Sequence, residues 1–127
     1  MEMKLELVPI PVSDLDRART FYAEKVGFHV DFDMQPGNGV RIIQLTPPWS
    51  ACSIAIGTGL GEISEMQPGS HKALHLVVVG IHEAREALAS RGVDVSEVIG
   101  CVRTENRESD KMAGWLLALF FLEVRLS

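Results

Sequence analysis

The chain states one pattern twice, and that repetition limits its folds more than any other feature. Val12-Ser13-Asp14-Leu15-Asp16-Arg17-Ala18-Arg19, running into Phe21, Tyr22 and Gly27, is echoed by Val78-Val79-Gly80-Ile81-His82-Glu83-Ala84-Arg85, running into Ala87, Leu88 and Gly92. A constant offset of 66 residues sets Leu15 on Ile81, Ala18 on Ala84 and Arg19 on Arg85. Each copy reads as strand, short turn, amphipathic helix, Gly stop and second strand. A unit of this size cannot bury its own apolar face, so two copies are expected to pack into one domain spanning 1–127. The modules cover about residues 5–57 and 72–127, with a linker over about 58–71.

Hydrophobic residues make up 46% of the 127 residues and charged residues 23%, which is globular rather than disordered composition. A net charge of −5 with no basic run argues against nucleic acid or an anionic membrane as partner. Cys52 and Cys101 are too few for a disulfide framework, and Cys52, within an apolar stretch, reads as a buried reduced thiol. The N-terminus lacks the layout of a signal peptide, and the longest apolar run, Trp115 to Leu122, is far short of a membrane span. A cytoplasmic protein is expected.

Leu5 to Val12 reads as a first strand. Pro9 and Pro11 remove two ladder donors, which assigns it to an edge or junction. Ser13 reads as an N-cap with Asp16 completing a capping box. Leu15, Ala18, Phe21 or Tyr22, and Val26 then repeat at helical spacing, and Gly27 is placed to end the helix. Phe28 to Asp33 alternates as a strand does. Pro36-Gly37-Asn38-Gly39 reads as a hairpin turn, and Val40–Thr46 and Ala51–Gly57 as strands joined by Pro47-Pro48-Trp49-Ser50. The second copy gives a strand over Ala73–Val79, a helix from about Ile81 to Arg91 and a strand over Val93–Val98. Residues 103–111 are polar and aperiodic, a long loop, and Met112–Leu126 reads as a last strand.

Two βαβββ units in tandem, with Val12-Ser-Asp-Leu-Asp-Arg-Ala-Arg-Thr-Phe-Tyr-Ala-Glu-Lys-Val-Gly-Phe28 near the start, resemble the vicinal oxygen chelate superfamily. That superfamily includes glyoxalase I, bleomycin-resistance proteins and extradiol dioxygenases. Gln44-Leu-Thr-Pro-Pro48 and Leu74-His-Leu-Val-Val78 extend the likeness to small bacterial glyoxalase-like proteins, while the C-terminus departs from the pattern: Ser109-Asp-Lys-Met-Ala-Gly-Trp115 keeps only a trace of the family's last turn. The resemblance implies an α+β fold whose tandem modules form a cupped mixed sheet, commonly within a homodimer.

Metal-dependent relatives hold one divalent ion by imidazole and carboxylate groups, leaving open positions that polarise substrate oxygens. Carried over residue by residue, the resemblance puts Leu7 at the first ligand position, where no donor exists. Gln44 stands at the second, a neutral substitute for Glu. The third is Ala73, or His75 after a two-residue strand slip, and the last is Leu116, or Glu123 by raw spacing. The most generous set, Gln44, His75 and Glu123, is thin for a metal.

The expected function is therefore metal-free, cofactor-free binding of a small, partly apolar molecule in the cup, with ligand contacts from Gln44, His75, Trp49 and Leu7. The alternative is a metal-dependent glyoxalase-like lyase, isomerase or dioxygenase; no catalytic residue is assigned. Each residue also has a plainer role. His75, between two leucines, suits a core histidine; Gln44 suits an amide satisfied by its neighbours; Trp49 suits a lid over the core edge.

Overall fold

A computed structural model describes residues 1–71, 74–78, 80–95, 102–103 and 116–118. The chain divides into two compact units, one built on residues 1–71 and the other within 72–124.

In the first unit, β1 (Leu7–Pro9), β2 (His29–Gly37), β3 (Val40–Thr46) and β4 (Ser53–Thr58) form an open mixed sheet in the order β1-β4-β3-β2. β1 runs parallel to β4, and the other pairs are antiparallel. Pro9 and Pro11 have the consequence read from sequence: β1 is short and lies at an edge. Its ladder continues through Ile10 N–H, which donates to the Ala55 carbonyl at 2.9 Å. The turn between β2 and β3 is the two-residue Asn38-Gly39 loop, with φ of 55° and 73°. Positive φ at both positions defines a type I′ turn, whose twist matches that of the strands it joins.

Helix α1 (Leu15–Thr20) starts one residue later than the capping-box reading has it. Asp14, not Ser13, is the N-cap: it is extended (φ −135°, ψ 110°), and its Oδ1 accepts from the Arg17 N–H at 3.1 Å. Asp16 is thereby freed from capping and accepts from Arg41 on β3 at 2.8 Å. α1 continues into a π-helical segment over Phe21–Val26, which Gly27 ends in the left-handed region (φ 96°), with its N–H bonded to the Tyr22 carbonyl five residues back. Ala18 and Tyr22, one turn apart, are the buried side chains of this helix. Tyr22 stacks on Phe28 at 5.6 Å between centroids and meets Phe21 edge-on at 5.2 Å.

The Arg41–Asp16 bond fixes which sheet face carries α1. Arg41, Ile43 and Leu45 share that face by strand alternation. Their partners Ile56 and Ile54 share it too, because residues opposite one another in a ladder point the same way. Ile43, Leu45 and Ile56 are fully buried there. At the rim of this face Arg41 grips Asp33 with a two-pronged fork, Nε to Oδ1 at 3.0 Å and Nη2 to Oδ2 at 2.8 Å, while Arg19 Nε lies 3.3 Å from Asp33. The fork ties β3, β2 and α1 together through charge-assisted bonds.

In the second unit, β5 (Leu76–Val78), β6 (Val102–Arg103) and β7 (Leu116–Ala118) form an antiparallel sheet in the order β5-β7-β6. α3 (Ile81–Ser90) buries Ile81 and Leu88, two turns apart, and Gly92 follows it at φ 81°. The repeat thus recurs as strand, helix and Gly stop. The pairing differs: β5 is antiparallel to β7, where β1 is parallel to β4. Val93–Val95 form no strand, contrary to the reading from sequence, and 96–98 lie outside the described residues. Of the strand read over Met112–Leu126, Leu116–Ala118 is present as β7, and the remainder lies outside the described residues. The stretch read as a linker over about 58–71 belongs to the first unit and holds a four-residue helix, α2 (Glu62–Glu65).

Candidate functional site

The face of the first sheet opposite α1 carries the candidate site. Register places Leu7 beside Ser53, His29 beside Thr46, and Phe32 and Ala55 on either side of Gln44. Of the residues expected to bind ligand, Leu7 and Gln44 are brought to one face here. Leu7 is 37% exposed and Gln44 is half-buried.

A polar chain crosses this face. Gln44 Nε2 donates to Asp31 Oδ2 at 3.1 Å, and Thr46 Oγ1 donates to the same oxygen. Thr46 Oγ1 also lies 2.7 Å from Ser53 Oγ. Ser53 is only 6% exposed, so its hydroxyl must find its partner within the protein. The other Asp31 oxygen, Oδ1, lies 4.0 Å from His29 Nε2. The Thr46 hydrogen bond, helped by Gln44 and the nearby His29 and opposed by partial desolvation, holds the Asp31 carboxyl below the usual carboxylate range.

Asp31 is the member of this polar set that the sequence reading missed. Val30-Asp31-Phe32-Asp33 looks like plain alternation, which would set Asp31 and Asp33 on one face. The register instead shifts between Val30 and Phe32: Val30 opposes Leu45 and Phe32 opposes Gln44, so Asp31 is the extra residue of a β-bulge. A bulge re-aims its side chains and lets two neighbours share a face. Asp33, opposite Ile43, stays with Arg41 on the α1 face, and Asp31 turns to Gln44 and Thr46. Thr46 itself was within reach of sequence, lying two residues beyond Gln44 on the same strand.

Trp49 lies in the loop joining β3 to β4, at the end of the sheet where Thr46 and Ser53 meet. Its φ is 67° and its side chain is 100% exposed, so it covers no core edge. A rigid turn, with Ser50 N–H bonded to the Pro47 carbonyl at 3.0 Å, holds the indole out in solvent. His75 immediately precedes β5 in the second unit and is exposed rather than buried. The strand it was assigned to begins one residue later, which leaves its imidazole in water. Ala73 and Glu123 lie outside the described residues.

A model of the bleomycin resistance protein-like N-terminal family matches residues 7–42, the stretch from β1 to the start of β3. Among solved structures, a glyoxalase/bleomycin resistance protein from Streptomyces sp. CB03234 is 28% identical, with 88% of this chain and 96% of that one covered at a TM-score of 0.63. TnmS3, described as an antibiotic binding protein from the same organism, is also 28% identical, with 90% of this chain and 92% of that one covered at a TM-score of 0.64. The family match and these neighbours support a member of the vicinal oxygen chelate superfamily. A superfamily member from Sphaerobacter thermophilus DSM 20745, 24% identical over 93% of this chain and 97% of its own, shares the fold at a TM-score of 0.66. No curated protein matches the chain.

The metal on which catalytic members of the superfamily depend fits the first unit poorly. Leu7 has no donor atom, Gln44 offers only a neutral amide oxygen, and Asp31 with His29 makes only two strong ligands where divalent sites use three or more. Among the described residues, no three His, Cys, Asp or Glu side chains gather as a ligand set. The chain is thus glyoxalase/bleomycin-resistance-like in kind, and its first-unit face presents hydrogen-bonding groups.

Proposed function

We propose that the protein binds a small, partly apolar molecule without a metal, using the sheet face opposite α1. The observation that carries this reading is the make-up of that face. Leu7 and Phe32 supply apolar surface, and Gln44, Thr46 and Asp31 form a fixed polar set among them. Binding sites for small organic molecules combine these two features, mostly apolar walls with a few oriented polar groups. Likeness to TnmS3, an antibiotic binding protein, supports the same reading. His75 and Trp49 remain proposed contacts, Trp49 because an exposed indole on a rigid turn gives stacking area at little entropic cost.

A homodimer belongs to the proposal. β2 is an edge strand nine residues long, unpaired on its outer side among the described residues. Such an edge needs cover.

Thermal-shift screening of apolar heterocycles, followed by calorimetry on chelator-treated protein, tests the function. Saturable one-site binding that survives chelation is expected. Binding that requires added divalent metal, or no binding at all, overturns it.

A further inference from the structure

We propose that Asp31 is the ligand anchor of this face and that it selects molecules carrying a protonated amine on an apolar body. The inference rests on the binding reading above and names the ligand class for it.

The β2 bulge turns Asp31 away from the α1 face, where Asp33 is already neutralised by Arg41 and Arg19. Thr46 and Gln44 both donate to Oδ2, so the carboxylate is oriented before any ligand arrives. Among the described residues, Oδ1 faces only His29 Nε2, at 4.0 Å, too far for a hydrogen bond. The group is left ionised, its side chain 26% exposed, with one unbonded oxygen beside Phe32 on the same face. Among the described residues, no arginine or lysine is within bonding distance of it, in contrast to Asp33.

A neutral apolar molecule laid over this oxygen would strip its water and give nothing back, an unfavourable exchange for a charged group. A protonated amine replaces that water with a charge-assisted hydrogen bond. The chain's net charge of −5 favours the approach of a cation over that of an anion. Phe32 and Leu7 supply apolar contact for the rest of the molecule.

The test is calorimetric titration with a matched probe pair, 1-naphthylmethylamine and 1-naphthylmethanol, which share an apolar body and differ in charge. The unmodified protein is expected to bind the amine about tenfold or more tightly than the alcohol. Asp31→Asn should erase that preference by weakening the amine alone. Asp33→Asn, which removes the same charge from the opposite face, should keep it. Equal binding of the two probes, or an amine preference that survives Asp31→Asn, overturns the anchor and leaves the binding reading standing. Failure of both probes to bind overturns the two together. If Asp31→Asn does not fold, the carbon resonance of the Asp31 carboxyl in the unmodified protein reads the same contact. It should move on addition of the amine and not of the alcohol, and a resonance unmoved by the amine overturns the anchor.

Discussion

Two aspartates separated by one residue have opposite surroundings. Asp33 lies in the Arg41 fork, which holds its carboxyl below the ordinary range. Asp31 is held low by Thr46 and Gln44. Both folded values lie below the unfolded value of about 3.9. The stability from each ionised group is therefore fully present above about pH 4 and is lost as pH falls through the depressed folded values. The share of the urea midpoint that these two aspartates supply should be lost in that acid window, and Asp33→Asn should lower the midpoint at neutral pH while flattening the acid limb. A variant whose acid limb matches the parent would remove the fork from the account. Tyr22 is the opposite case: burial pushes its phenol up to about 12, above the unfolded value of about 10. Its contribution is complete below about pH 10 and is lost as pH climbs through the folded value. Because it is the chain's one tyrosine, phenolate absorbance reports it alone. That absorbance should appear late and together with loss of fold; titration at the ordinary value would contradict the burial.

At the scale of elements, two glycines separate conformational cost from steric cost. Gly39, at φ 73° in the hairpin turn, has open space around a built Cβ. Gly39→Ala should therefore cost only the left-handed backbone penalty, about 1 kcal/mol by urea denaturation. Gly57 on β4 has ordinary φ, but a Cβ there would lie 2.5 Å from both the Arg41 carbonyl oxygen and Leu60 Cδ1. The carbonyl belongs to β3 and cannot retreat without opening the β3–β4 ladder. Gly57→Ala should thus cost more, about 2–3 kcal/mol. Equal losses would mean the strand spacing at Gly57 is looser than described.

The same scale shows what was legible from residues alone. Asn38-Gly39, the strand Val40–Thr46, the helix from Leu15 and the Gly27 stop all follow from local chemistry, because turn type, alternation and left-handed backbone are decided within a few residues. The N-cap falls one residue later than read, at Asp14, since Ser13 and Asp14 are both good caps and it is Asp14 that accepts from the Arg17 N–H. Of the candidate site, Leu7 and Gln44 were read onto one face through the family resemblance. Asp31 was not, because a bulge is a relation between two strands and leaves no mark in one of them.

For the whole molecule, the duplicated pattern recurs as strand, helix and Gly stop, but sheet pairing does not repeat among the described residues, with β1 parallel to β4 and β5 antiparallel to β7. Sequence periodicity specifies which faces are apolar and not which neighbour covers them. The metal question belongs to this scale as well, since any cage would need donors from distant parts of the chain. Protein purified without chelators should carry well under one divalent ion per chain by elemental analysis, and His75→Ala should leave that content unchanged. A stoichiometric ion lost in the variant would favour the metal-dependent alternative.

By itself the sequence determined the elements, the hairpin, the edge position of β1 and the poverty of metal donors at Leu7 and Gln44, because each depends on the chemistry of a few consecutive residues. Only the tertiary structure decided which face Asp31 and Asp33 occupy, that Thr46 and Gln44 hold one carboxylate between them, and that Trp49 and His75 face water. Those outcomes depend on register and packing between strands far apart in the chain, where a shift of one residue moves a side chain to the other side of the sheet.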